Sequence, residues 1–152
     1  MRLHLGQDGG DCMQIIFLAL LGSLTSGLTF NVRGYKLVFS GLSGVAGYLS
    51  YFLLFGWTGH YVLSIFIGAV MVGFYSEMAA RLLKTPSTVF SIPGLLPLVP
   101  GITAYEAIIL LTDNKLNEGL GKIIETMNGA GAIAFGILIV TAIFRYLSRI
   151  KK

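Results

Sequence analysis

The side chains best suited to chemistry follow a run of prolines. The stretch SIPGLLPLVPG holds Pro93, Pro97 and Pro100, and Glu106 is the single carboxylate in the apolar sequence ITAYEAIILL that follows. A carboxylate in an apolar segment is by default a functional candidate, as a proton carrier or as the partner of a substrate ammonium group. Thr103 and Glu106 also form the T-x-x-E pattern of a capping box, so a purely structural role at the start of a new helix is an equal alternative.

A second candidate is a pair of opposite charges four residues apart. Glu77 precedes Arg81 in the order that favours an ion pair on one helix face. The spacing predicts an ordinary interfacial ion pair, and the alternative is a cytoplasmic gate or substrate contact.

The remaining polar residues exclude several chemistries. The sequence has one cysteine, Cys12, and two histidines, His4 and His60, which stand far apart without partners at ligand spacing. We therefore expect neither a metal nor another cofactor. The absence of an H-E-x-x-H motif and of any Ser/His or Cys/His arrangement within an apolar segment argues against an intramembrane enzyme.

Composition places these residues in a membrane. Of the 152 residues, 55% are hydrophobic and 12% are charged, and the mean hydropathy is +0.79, a balance that a soluble domain of this size does not normally show. We expect an all-α integral membrane protein that resides in the lipid bilayer. The net charge of +4 comes from Lys and Arg residues between and after the apolar segments, where they indicate orientation and not nucleic-acid binding.

About five segments are long and apolar enough to cross a bilayer core of roughly 30 Å. We place them near residues 13–31, 36–56, 60–82, 87–112 and 122–147. They would form a single transmembrane domain over residues 13–148, between a polar tail of residues 1–12 and a basic cytoplasmic tail of residues 149–152. Three interpretations of the polar tail are open: a disordered end, a remnant of an expression tag, or a start codon assigned too far upstream.

Basic residues predict the orientation of a five-span arrangement. With the N-terminus outside, eight Lys and Arg residues are cytoplasmic and three are outside, which obeys the positive-inside rule. If the fourth segment dipped into the membrane and returned, the basic cluster at residues 145–152 would lie on the opposite side from Arg81 and Lys84. We therefore expect the fourth segment to cross, and the C-terminus to be cytoplasmic.

A crossing fourth segment would be broken by its prolines near the membrane midplane, at residues 99–101. Each proline removes a backbone donor, and an unsatisfied carbonyl in hydrocarbon costs several kcal/mol. A half-helix that starts at the midplane would present free N–H groups to an anionic substrate, whereas the alternative is a kinked helix whose carbonyls are satisfied by neighbours. The candidate substrate-binding or coupling residues are Pro93, Gly94, Pro97, Pro100, Gly101, Thr103, Tyr105 and Glu106.

Two further patterns require no ligand. Small residues recur four apart, a spacing that predicts close helix packing. They are Ser23/Gly27, Ser40/Gly44, Ser43/Gly47, Ala69/Gly73 and Asn128/Ala132/Gly136. Tyr48, Tyr51 and Tyr61 belong to an aromatic cluster around the second outer turn, as expected of an interfacial belt. Asn128 is a candidate for an interhelical hydrogen bond, and Glu125 for a charge at a helix N-terminus.

Three segments carry a family resemblance. They are FNVRGYKLVFSGLSGVAGY (30–48), SEMAARLLKTPSTVFSIPGLLPLVPGITAY (76–105) and GAGAIAFGI (129–137). Together they resemble the threonine/serine exporter family, and more narrowly the small subunit of its split, two-gene members, over roughly residues 13–148. The family pattern falls on Glu77, Arg81, Pro86, Pro93, Gly94, Pro97, Pro100, Gly101 and Tyr105.

The resemblance implies a subunit of a secondary transporter in the bacterial inner membrane. It would export a small polar metabolite, either threonine and serine or a dicarboxylate such as succinate. We also expect the proton gradient to drive the export, with Glu106 as the candidate proton carrier. Its partner would be a larger five-span subunit of the same family, with self-association as a further option. Two such subunits of inverted topology would hold the substrate at their interface. A channel or a non-transporting accessory subunit is the alternative function.

Overall fold

The computed structural model describes the backbone of residues 9–150 and the side chains of residues 13–149. Within this part the protein consists of six α-helices and one short 3-10 turn, without strands. The helices are α1 (Gly9–Thr29), α2 (Tyr35–Thr58), α3 (Tyr61–Leu83), α4 (Thr88–Leu95), α5 (Gly101–Thr112) and α6 (Leu116–Ile150), and the 3-10 turn is Leu96–Leu98. The predicted all-α class is confirmed.

Three helices, α2, α3 and α6, are each long and apolar enough to cross a membrane. Thr88–Leu98 and Gly101–Thr112, whose axes differ by 46°, have the length and composition of either one broken span or a re-entrant loop. The apolar part of α1, Met13–Thr29, is shorter than a typical span. The lengths and compositions of these helices are those of an integral membrane protein.

The helix ends differ from the predicted segments mainly near the termini. α1 begins at Gly9, within the predicted tail of residues 1–12, of which residues 1–8 lie outside the described part. α6 begins six residues before position 122 and continues to Ile150, beyond the predicted end of the span. Leu116 and Leu120 continue the apolar periodicity of α6 upstream through charged residues, which explains the early start.

Small residues bring the first three helices close together. Gly44 of α2 lies on Ser23 of α1, and Gly47 of α2 faces Gly68 of α3 in a second antiparallel pair. A Cβ built on Gly68 would lie 2.9 Å from the carbonyl oxygen of Gly47. The predicted packing is confirmed because every member of the small-residue pattern is buried except Asn128, which is exposed.

α4 fills the space between α1, α2 and α3. Its Phe90 is fully buried against Ala79 and Ala80 of α3. Gly94, one helical turn further along, lies against Ser43 of α2 and Val72 of α3. α4 is therefore part of the core of the helical bundle, although it is only eight residues long.

α6 packs beside α3 and runs in the same direction. Gly136 lies against Ala69, and Gly73 lies against Val140, so residue numbers rise together along the two helices. The chain between them must return from the end of α3 to the level of its start. Residues 84–115, which contain α4 and α5, make this return.

Residues 96–100 separate α4 from α5 and are here called the interruption. The interruption lies near the start of α3. Pro100 and Ile65 both lie against Gly129 of α6, and Ile65 is about 6 Å along α3 from its first residue. Val72, half-way along α3, lies instead against Gly94. The interruption is therefore nearer to one end of α3 than to its middle, the level at which the sequence predicted the break.

α5 and the first turns of α6 form a helical hairpin beyond the turn between α2 and α3. About 20 Å of α6 precedes Gly129, and α5 packs mainly against this part of α6. Ala107 is buried in the contact, and Leu111 lies against Gly119. The opposite face of α5 is exposed.

Candidate functional site

A small cavity lies beside the interruption, at the start of α5. Its volume is about 170 Å³, below the roughly 300–1,000 Å³ of typical ligand pockets, so it suits a small metabolite. Its walls come from α2, α3 and the interrupted segment. The lining residues are Tyr48, Tyr51, Tyr61, Ile65, Pro97, Leu98, Val99, Pro100, Gly101, Ile102 and Thr103.

The interruption satisfies part of its own backbone. Pro100 cannot donate to the carbonyl of Leu96, and the N–H of Val99 donates to this carbonyl instead, at 3.3 Å. The N–H of Gly101 donates to the carbonyl of Val99 at 2.7 Å. These two short-range bonds end one helix and begin the next within three residues.

The start of α5 differs from the predicted capping box. Pro100 occupies the N-cap position without a side-chain cap, and Thr103 lies inside the helix, where its hydroxyl donates to the Pro100 carbonyl at 2.9 Å. The capping prediction for Thr103 and Glu106 is wrong because the fixed φ of proline starts the helix at Gly101, before the threonine. The first turn therefore leaves the N–H groups of Ile102 and Thr103 without helical acceptors, and both residues line the cavity.

Three tyrosines form the opposite wall of the cavity. Tyr48 and Tyr51, whose ring centroids are 5.6 Å apart, come from neighbouring turns of α2, and Tyr61 comes from the start of α3. The sequence analysis places all three in an interfacial belt and misses that they line one cavity. The spacing of three between Tyr48 and Tyr51 puts both on one face of α2, and this was the available signal.

Only some of the predicted site residues lie at the cavity. Pro97, Pro100, Gly101 and Thr103 line the cavity. Pro93 and Gly94 are buried in the packing of α4, and Tyr105 is 65% exposed on the outer face of α5. The structure thus brings half of the predicted residues to one place.

Glu106 lies in an ion-pair network away from the cavity. Its carboxylate is 3.2 Å from the ammonium group of Lys122 on α6, which is also 3.0 Å from Glu125. The Glu106 side chain is 47% exposed. The network joins the two helices of the hairpin, so Glu106 is neither a capping residue nor a deeply buried charge.

Glu77 and Arg81 do not form the predicted ion pair. The guanidinium of Arg81 donates to the carbonyl oxygen of Phe144 at 3.1 Å and lies over the Phe144 ring, 4.8 Å from its centroid. Phe74 contacts the same ring edge-on, at 5.6 Å between centroids. Arg81 therefore joins the ends of α3 and α6, because the parallel helix offers it a carbonyl and an aromatic face.

The site offers neutral hydrogen-bonding groups. Three tyrosines and the first turn of α5 line the cavity, and hydroxyls and free helix N–H groups are groups that bind polar or anionic ligands. Among the described residues, no three His, Cys, Asp or Glu side chains are grouped as a metal site would require.

The fold is that of a multispanning helical membrane protein. A family model described as "Threonine/Serine exporter, ThrE" matches residues 15–143. The chain belongs to the threonine/serine exporter family.

Two curated relatives are much longer than the region they share with this chain. A threonine/serine exporter of Corynebacterium glutamicum is 26% identical over 75% of the chain and 23% of its own length. An uncharacterized protein of Haemophilus influenzae is 24% identical over 85% of the chain and 46% of its own length. The chain thus spans less than half the length of either relative. No solved structure matches it.

Proposed function

We propose that this chain is one subunit of a secondary transporter that exports a small polar metabolite. Its family membership supports the transporter class. One relative is named as a threonine/serine exporter, so threonine and serine are the first substrates to test, followed by a dicarboxylate such as succinate.

The transporter is completed by a larger five-span subunit of the same family. Support for this partner comes from the relatives, of which this chain covers only 23% and 46%. A substrate site at the interface of two such subunits is common in transporters built from inverted repeats.

The proposed topology has five spans in the bacterial inner membrane, with the N-terminus outside. The parallel packing of α3 and α6 supports a crossing by residues 88–112, since a segment that dipped and returned would make α6 antiparallel to α3. In this orientation the start of α3 faces the outside, so the interruption lies in the outer part of the membrane.

The cavity beside the interruption carries the proposal. A substrate carboxylate accepts hydrogen bonds from the N–H groups of Ile102 and Thr103, where the helix dipole favours negative charge. The substrate ammonium group lies among Tyr48, Tyr51 and Tyr61, whose faces attract cations, and donates a hydrogen bond to the Tyr51 hydroxyl oxygen. The cavity volume of about 170 Å³ favours molecules of the size of threonine or serine.

We assign proton coupling to Glu106. Protonation of this carboxylate would break its ion pair with Lys122 and so weaken the contact between α5 and α6. Because the first turn of α5 forms one wall of the cavity, a shift of α5 would alter the binding site.

Efflux from proteoliposomes that contain both subunits tests this function. We expect saturable export of threonine and serine that responds to the pH gradient. Tyr51→Phe removes one hydroxyl from the cavity and should raise KM roughly tenfold, the effect of one hydrogen bond to a charged group.

Tyr35→Phe is the matched control, because Tyr35 is an exposed tyrosine at the start of the same helix. An equal KM for the two variants would remove Tyr51 from the binding site. Flux that neither saturates nor responds to the pH gradient would identify a channel instead.

A further inference from the structure

One face of α6 is apolar, regular and uncovered. Its members recur at alternating spacings of four and three, the pattern of helices that pack together along a seam. They are Leu120, Ile124, Met127, Gly131, Ala134 and Leu138, here called the open seam. Its members are exposed except for the half-buried Gly131, and α6 uses a different face, which includes Ala132 and Gly136, to pack on α3.

The open seam borders a groove of about 990 Å³ between α6 and the start of α3. Val62, Leu63 and Phe66 form the wall on the α3 side. The groove follows α6 from Gly121 to Ile139, about 27 Å along the helix axis, and its outer part lies beyond the level of Gly129. It is therefore long enough for about five turns of a partner helix.

Gly131 lies near the middle of this groove. A Cβ built on it would meet nothing within 4 Å, whereas a Cβ on Gly129 would lie 3.3 Å from Ile65 of α3. Glycine on an open helix face allows the backbone of a neighbouring helix to come close. Packing within this chain thus explains Gly129 but leaves the space at Gly131 free.

The outer end of the seam lies beside polar side chains. Lys122 and Glu125 alternate with Leu120 and Ile124 on the same turns of α6, and their charges are paired with each other and with Glu106. Asn128, by contrast, is exposed at the groove, and amide side chains hydrogen-bond across helices in membranes. A protein helix with a polar side chain at this level would bond to Asn128, which a lipid chain cannot do.

We infer that the open seam of α6 receives a transmembrane helix of the larger subunit, with a polar side chain opposite Asn128. This inference rests on the proposed function and specifies the surface at which the two subunits meet. The lengths of the relatives favour the larger subunit over a second copy, because the matched region fills only 23% and 46% of them. Family members thus carry further chain that is available to cover the seam.

Gly131→Leu tests the inference. The leucine side chain would occupy the space that the partner helix requires, so we expect the affinity for the tagged larger subunit in nanodiscs to fall at least about tenfold. Gly56→Leu is the matched control, because a Cβ on Gly56 also meets nothing within 4 Å but lies on α2, away from the seam. Both variants should unfold at the temperature of the wild-type chain when measured alone.

The outcomes separate this inference from the proposed function. Wild-type affinity in the Gly131→Leu variant would overturn the seam as the contact surface and leave the pairing of subunits intact. Failure of the wild-type chain to bind the larger subunit would contradict the pairing itself, and the inference with it.

Disulfide trapping tests the alternative occupant, a second copy of this chain. In a Cys12→Ser background, Gly131→Cys should form no disulfide-linked homodimer in membranes that contain this chain alone. Efficient homodimer formation through Cys at this position would assign the seam to self-association and overturn the inference.

Discussion

The two halves of the interrupted segment have very different surroundings. α4 is enclosed by α1, α2 and α3, and its Phe90, Pro93 and Gly94 are buried. α5, although it is longer, packs mainly on α6 and buries Ala107. The same apolar segment thus contributes one helix to the core of the bundle and one helix to its periphery.

This difference gives the cavity one fixed wall and one adjustable wall. Pro97 and Leu98 follow α4 directly, and Leu98 is buried with it, whereas Ile102 belongs to α5 and is exposed. A shift of α5 on α6 would therefore change the cavity without disturbing the packing of α4 among α1, α2 and α3. The proposed coupling through Glu106 requires such a shift.

The largest expected effect comes from truncation of the buried side chain of α4. Phe90→Ala should destabilise the protein by about 3–5 kcal/mol, because it leaves a cavity against Ala79 and Ala80. Ile108→Ala, on the exposed face of α5 at 64% exposure, should change stability by no more than about 0.5 kcal/mol. Denaturant unfolding in detergent measures both variants, and similar losses would remove the contrast between the two helices.

An intermediate effect is expected from enlargement of a glycine in α4. Gly94→Leu forces a side chain into the contact with Ser43 and Val72 and should destabilise the protein by about 1–3 kcal/mol or more. The matched variant is Gly101→Leu at the start of α5, where a Cβ would meet nothing within 4 Å. If thermal unfolding affected Gly101→Leu as strongly as Gly94→Leu, the peripheral position of α5 would be wrong.

The smallest expected effect concerns the ion pairs that hold α5 to α6. Lys122→Met removes the partner of Glu106 and Glu125 and should loosen α5 by up to about 1 kcal/mol, because the pairs are partly exposed. Hydrogen exchange of α5 amides should therefore accelerate in this variant and, in the wild type, on addition of salt. Lys115→Met, in the turn between the helices, is the control, and salt-independent exchange of α5 in the wild type would count against the ion pairs.

The sequence allowed the long helices to be predicted because continuous apolar runs carry that information directly. The interruption was visible as well, because three prolines in eleven residues are incompatible with one regular helix. Its level along the bundle was not visible, since basic residues indicate only the side on which a loop lies. The level depends on the contacts of Pro100 and Gly94 with distant helices.

The polar contacts were predicted poorly. Sequence spacing identifies neighbours along one helix, whereas the partners of these side chains lie on other helices. Arg81 was paired with Glu77, four residues away, but it contacts Phe144, 63 residues away. Glu106 likewise finds its partner Lys122 on the next helix. The position of Tyr51 and Tyr61 at the cavity was missed because an aromatic residue in a membrane belt and one that lines a cavity have the same local signature.

The short length of α4 has a consequence for the biogenesis of the protein. Eight residues are too few to insert into a bilayer as an independent hairpin or span, so α4 depends on a surface that is already formed. α1, α2 and α3, which provide that surface, all precede α4 in the chain. During synthesis these three helices leave the ribosome before α4 does, and this half of the interrupted segment can settle on them while α6 is still being made.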